Sequence, residues 1–148
     1  MKPPFILCLS FGYYYNIKGE GIMEGIKMRA FLNSFAYALR GIYIAVKTER
    51  NFKVHIIAMC LAIALAAYLK LSVPEWGLII FSIGFVLCAE LFNTAVERLG
   101  DKMASGERNA AIRNIKDLSA AAVIISALTA LTIGIIVLIV PLVSRWLE

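Results

Sequence analysis

The chain has 148 residues, 61% of them hydrophobic, and a mean hydropathy of +0.80, far more apolar than a soluble globular domain of ordinary make-up. That length holds one domain, and three spans of about 20 residues each would use well over a third of it, which excludes a sizeable separate soluble module. Fifteen Lys and Arg against ten Asp and Glu leave a net charge of +5. The bases flank apolar runs instead of forming a stripe, so anionic lipid headgroups, and not nucleic acid, are the expected counter-ions.

Residues 1–27 read as an N-terminal extension. A short apolar stretch follows Lys2, but three consecutive tyrosines and no small-residue cleavage pattern argue against a cleaved leader. Lys18-Gly19-Glu20-Gly21 can be encoded by a purine-rich run resembling a bacterial ribosome-binding site, so translation is expected to begin at Met23 or Met28, and residues 28–148 form the working domain. Over residues 31–47 the apolar side chains Phe31, Phe35, Leu39, Ile42 and Val46 recur every three or four positions, with Asn33, Arg40 and Lys47 between them. This pattern predicts an amphipathic helix, too polar to span and suited to the membrane surface.

Residues 48–53 then predict a charged hinge before a first span over about residues 54–71, long enough only if Lys70 snorkels. Ser72-Val73-Pro74-Glu75 makes a tight connection, with Ser72 or Pro74 starting the next helix and Trp76 as an aromatic interface anchor. The second span runs over residues 76–96 and holds one internal charge, Glu90. Residues 98–116 predict a long polar loop, and residues 118–143 a third span bounded by Asp117 and by Arg145-Trp146. Cys8, Cys60 and Cys88 have no paired spacing and predict neither a disulfide nor a metal cluster. Bases concentrate before the first span (Arg40, Lys47, Arg50, Lys53) and in the predicted loop (Arg98, Lys102, Arg108, Arg113, Lys116). Those segments are therefore expected on the cytoplasmic side and the C-terminus outside.

Glu90, Asn93 and Glu97 stand at i, i+3 and i+7, so they share one helix face and form a polar stripe about 10 Å long. A carboxylate inside a span costs at least about 2.5 kcal/mol by insertion scales, so a partner or a function usually accompanies it. One reading is interhelical glue, with Glu90 hydrogen-bonded to a neighbouring helix and fixing packing only. The other is chemistry. Glu49, Glu97, Asp101 and Asp117 meet Arg50, Lys53 and Lys116 at one level of the membrane. Carboxylates supply the hard oxygens Mg²⁺ prefers, a lysine can neutralise phosphate oxygens, and a desolvated glutamate can accept a hydroxyl proton. Taken singly, interfacial charges commonly only anchor helices, and Asp117 could simply cap the third one.

The stretch Glu90-Leu91-Phe92-Asn93-Thr94-Ala95-Val96-Glu97, then Asp101, then Lys116-Asp117, preceded by Glu49-Arg50-Asn51-Phe52-Lys53-Val54-His55, resembles the signature of the bacterial membrane-integral diacylglycerol kinase and undecaprenol kinase family. The resemblance implies an all-α membrane protein: a homotrimeric bundle of protomers, each with an N-terminal surface helix and three transmembrane helices, in the bacterial cytoplasmic membrane. Its active sites would lie at the cytoplasmic interface between protomers, with Glu49 and Glu90 from different chains. It implies ATP- and Mg²⁺-dependent phosphorylation of a lipid alcohol, undecaprenol or diacylglycerol. Glu90 resembles the general base, Glu49 and Glu97 the Mg²⁺ ligands, and Lys116 and Asp117 the pair near the nucleotide phosphates. Asn93 and Asp101 match polar positions in or beside the site. Arg40, Gly41 and His55 match positions around the nucleotide less specifically, and a snorkelling base, a helix contact and an interfacial imidazole are their structural alternatives. The hinge Asn51-Phe52-Lys53-Val54-His55 is closer to the undecaprenol kinases of Gram-positive type, so undecaprenol is the favoured substrate. The rival of another class is a non-catalytic membrane-assembly protein.

Overall fold

A computed structural model of the chain describes residues 20–104 and 109–147; Cys8, Arg108 and the tyrosine run lie outside them. Among the described residues the elements are α1 (Glu20–Thr48), α2 (Arg50–Leu69), α3 (Val73–Ala104), α4 (Ala110–Gly134), a π-helical turn (Ile135–Ile139) and α5 (Val140–Leu147). Leu39 and Arg40 mark the division between two compact units. Arg50–Leu69, Val73–Ala104 and Ala110–Leu147 are long and apolar enough to cross a membrane. The all-α architecture with three spans is the one the hydropathy predicts. The expected surface helix over residues 31–47 is part of a longer one, since α1 already begins at Glu20 and no proline interrupts it.

The predicted hinge shrinks to a single residue. Glu49 is extended (φ −93°, ψ 121°) between two helices and its side chain caps neither, which leaves the carboxylate available for contacts elsewhere. At the far end of α2, Lys70 takes the left-handed conformation (φ 55°), and the N–H groups of Lys70 and Leu71 bond back to the carbonyls of Ala67 and Ala66 at 3.2 and 3.3 Å. This closes the helix with the geometry a glycine usually supplies. Ser72 then starts α3: its N–H and its hydroxyl reach Glu75 Oε2 at 2.7 and 2.6 Å, a capping interaction that uses the acid of the connection. Beneath this turn the apolar core gathers Ala66, Leu69, Ile79, Val137 and Leu138, with Trp76 packed against it.

Two expectations about the rest of the chain are corrected. Residues 98–116 are helical over most of their length, because α3 continues to Ala104 and α4 starts at Ala110. The polar side chains there lower hydropathy without breaking helix, since Arg, Lys, Leu and Met are good helix formers. Asn109, and not Asp117, caps α4, its Oδ1 accepting from Ala111 N and Ile112 N at 2.9 and 3.4 Å. Within the third span the π-helical turn separates α4 from α5. Pro141 lacks an N–H and crowds the carbonyl four residues back, and the ladder widens just before it, with Val140 N–H reaching Ile135 O.

Candidate active site

α3 is the helix around which the polar residues are arranged. A third of its most apolar stretch is buried inside the protomer, against 17% for each of the other two spans, so it is the inner helix and carries the polar stripe. Glu90 is 3% and Asn93 6% exposed. Glu90 lies within electrostatic range of His55 on α2, Glu97 on α3 and Glu49 at the α1–α2 break. One chain thus brings together four of the residues singled out from sequence. Glu49 and Glu90 come within electrostatic range inside one chain; the resemblance implies that they also face each other across a protomer boundary.

The glue between helices is carried by Asn93. Its amide donates to Glu97 Oε1 at 3.1 Å, and its carbonyl accepts from Ser119 Oγ on α4 at 2.7 Å. The Ser119 hydroxyl also lies 2.8 Å from the Lys116 carbonyl, so the network links α3 to the first turns of α4. Glu90 stays outside this network, leaving its carboxylate to another use.

Glu49 is held by a residue that the sequence reading assigned only as a flanking base. Arg98 Nη2 donates to Glu49 Oε1 at 2.8 Å and also to Thr48 Oγ1. The Thr48 hydroxyl in turn lies 2.8 Å from Glu49 Oε1 and 2.9 Å from the Ile44 carbonyl. The Arg98 hydrogen bond first, and that of Thr48 second, keep the Glu49 carboxyl below the usual carboxylate range. With 46% of the Arg98 side chain and 26% of the Glu49 side chain exposed, the pair is of the kind that contributes about 0–1 kcal/mol to stability. Thr48, Arg98 and Ser119 are the site residues that sequence reasoning missed. Thr48 and Arg98 adjoin Glu49 and Glu97 in the chain, which is the one signal available.

Lys116 Nζ bonds Asp101 Oδ1 at 2.7 Å. The approach is permitted by Gly100, where an added Cβ would fall 3.1 Å from Ile112 Cγ2 and 3.3 Å from Lys116 Cδ. Asp117 lies 3.9 Å from Arg113 on its own helix, and both are mostly exposed. An open concavity of about 660 Å³ between α3 and α4 is bordered by Asp101, Asn109, Arg113, Lys116 and Asp117. Arg40 and Gly41 lie on exposed turns of α1, and Arg40 has no ion pair among the described residues. On the other side of the cluster, an apolar cleft of about 120 Å³ starts at His55 and runs past Met59, Ser82 and Val86 to Gly134.

Among the described residues no three His, Cys, Asp or Glu side chains are grouped to hold a metal ion by themselves. Two carboxylates are nonetheless a fitting donor set for Mg²⁺, which is commonly held by one or two carboxylates, substrate phosphates and water. Each of Glu49 and Glu97 uses Oε1 in the contacts above, leaving Oε2 as a hard oxygen donor.

A buried acid among other carboxylates, flanked by a polar concavity and an apolar cleft in a three-span bundle, is suited to chemistry on a membrane lipid. More particularly, residues 36–138 match the family described as prokaryotic diacylglycerol kinase, and the chain belongs to that family. The matched stretch includes every site residue named above. Undecaprenol kinase of Bacillus subtilis strain 168 is 33% identical over 111 residues, covering 75% of this chain and 89% of that protein. Diacylglycerol kinase of Synechocystis is 32% identical over 113 residues, covering 76% and 65%. Diacylglycerol kinase of Haemophilus influenzae is 34% identical over 95 residues, covering 64% and 80%. The chain is a multi-pass bacterial membrane protein and a lipid kinase.

Proposed function

We propose that this chain phosphorylates undecaprenol at the cytoplasmic face of the membrane, using ATP as its Mg²⁺ complex, with diacylglycerol as the second candidate acceptor. The observation that carries the proposal is the convergence of Glu49, Glu90 and Glu97 at one end of a single chain. A packing role requires no such cluster, and Asn93 and Ser119 already serve that purpose.

In this reading the lipid tail lies along the apolar cleft, which brings the primary hydroxyl to Glu90. The hydroxyl oxygen forms its bond to the γ-phosphorus while the bond from that phosphorus to the β–γ bridging oxygen breaks. Glu90 takes the hydroxyl proton, a contribution of about 10²–10⁴-fold for a positioned general base. Asn93 orients Glu97, and Arg98 with Thr48 orients Glu49. These two carboxylates would hold Mg²⁺, which when bound neutralises charge on the β- and γ-phosphates. Lys116, beside Asp101 and Asp117 at the polar concavity, would meet phosphate oxygens, and Arg40 and Gly41 would serve the nucleotide. The protomers work as a homotrimer with the C-terminus outside.

Undecaprenol is preferred because the hinge sequence resembles that of Gram-positive undecaprenol kinases and because the relative of that name aligns over most of its length. The test is a competition of undecaprenol against diacylglycerol with labelled ATP and the purified protein in detergent. Preferential labelling of undecaprenol is expected. Preferential labelling of diacylglycerol reverses the substrate order, and labelling of neither removes the reading.

A further inference from the structure

We infer that Arg98 is a displaceable counter-ion, a positioning residue that holds Glu49 ready in the metal-free protein and yields its place on that carboxylate to a divalent cation. The inference rests on the kinase reading for the identity of Glu49 and Glu97 as metal ligands, and on geometry for the rest. Two carboxylates, Glu49 and Glu97, each lie within electrostatic range of a third, Glu90. Among the described residues, Arg98 is the one cation that forms an ion pair with any of them, at 2.8 Å from Glu49 Oε1. The other two ion pairs, Lys116 with Asp101 and Arg113 with Asp117, use other acids, although Lys116 also lies within electrostatic range of Glu97.

The Arg98 contact is built to orient Glu49 without trapping it. Its guanidinium rests on two oxygens of adjacent residues, Thr48 Oγ1 and Glu49 Oε1, so the carboxylate is steered toward α3 across a break of one residue. Half of the Arg98 side chain faces outward, which keeps the pair weak. A dication between Glu49 and Glu97 offers twice the charge to two carboxylates, where Arg98 serves one. The freed guanidinium retains Thr48 as an acceptor, and its planar fork of donors suits incoming phosphate oxygens.

The test measures Mn²⁺ alone, without nucleotide, binding to the purified full chain in detergent, by the loss of the free-ion electron paramagnetic resonance signal. Removing a competing counter-ion of this exposure in Arg98→Gln should tighten Mn²⁺ binding about three- to fivefold, while Arg98→Lys, which keeps the charge, stays near wild type. Thr48→Val takes away one of the two anchors of the guanidinium and should tighten Mn²⁺ by a smaller factor, which serves if Arg98→Gln does not fold. Unchanged or weaker Mn²⁺ binding in Arg98→Gln and Thr48→Val, or no binding to any variant, overturns the inference: Arg98 would then be a fixed support. Lipid phosphorylation by the wild type is measured on the same samples. Active wild type with no Mn²⁺ tightening sinks the counter-ion role alone, whereas inactive wild type with tightening sinks the kinase reading and leaves the counter-ion role standing.

Discussion

The two ends of the helical bundle solve opposite problems. At the α2–α3 turn, Ala66, Leu69, Ile79, Val137 and Leu138 exclude polar groups from their interior, and backbone caps at Lys70 and Ser72 close the chain. At the other end Glu49, Glu97, Asp101 and Lys116 make weak, partly exposed contacts near the buried Glu90. The first end fixes where the helices stand, and the second uses that placement. Stability and chemistry should therefore be separable by substitution.

The largest effect is expected from Glu90→Gln, which keeps shape and removes basicity: phosphoryl transfer should fall at least about a hundredfold, with thermal unfolding and assembly unchanged. Activity within a few fold of wild type would mean that Glu90 is not the base. At the apolar end Leu138→Ala should lower stability by about 2 kcal/mol, the lower range for such truncations, while activity per folded molecule stays within twofold. A parallel loss of activity would show that the ends are coupled. Glu49→Ala and Glu97→Ala should each reduce the rate about tenfold or more and recover partly in excess Mg²⁺ by mass action, unlike Glu90→Gln. Mg²⁺ titrations that look identical in all three variants would end this division of roles.

Because Glu49 and Glu90 lie within electrostatic range of each other inside one chain, co-expressed Glu49→Ala and Glu90→Gln chains purified through two tags should remain inactive. Recovered lipid phosphorylation would place Glu49 across a subunit boundary, as the family resemblance implies. A smaller gain comes at Lys70, whose left-handed backbone (φ 55°) disfavours a side chain by roughly 1–2 kcal/mol. Lys70→Gly should raise stability by up to that amount in a denaturation series and leave activity alone. Removal of residues 1–22 should change neither assembly nor turnover, measured on the same preparation.

The three spans were legible because hydropathy reports them directly, and the stripe of Glu90, Asn93 and Glu97 because a heptad spacing places residues on one helix face. The length of α3 was not legible, since hydropathy falls after Val96 although helix propensity does not. Arg98 was hidden for a different reason: its partners Thr48 and Glu49 lie 50 and 49 positions away, and no local pattern joins such positions. The widened turn before Pro141 was not read from the sequence: whether a proline kinks, ends or widens a helix depends on neighbours that a single sequence does not reveal.

The unbroken run of α3 from the α2–α3 turn to Ala104 also has a consequence for fidelity. At 1.5 Å per residue, Glu90 stands about 21 Å and Glu97 about 31 Å along the helix from Trp76, so against a hydrocarbon core about 30 Å thick Glu90 sits roughly 9 Å inside the boundary that Glu97 reaches. Water is scarce at that level, and a charged headgroup could follow only at great cost. A plain alcohol on a long apolar tail submerges readily. With Glu90 as the base, as proposed, the rod of α3 would act as a filter on the attacking oxygen: it would favour a lipid hydroxyl over the far more abundant water, and limit wasteful hydrolysis of the phosphoryl donor without any lid having to close.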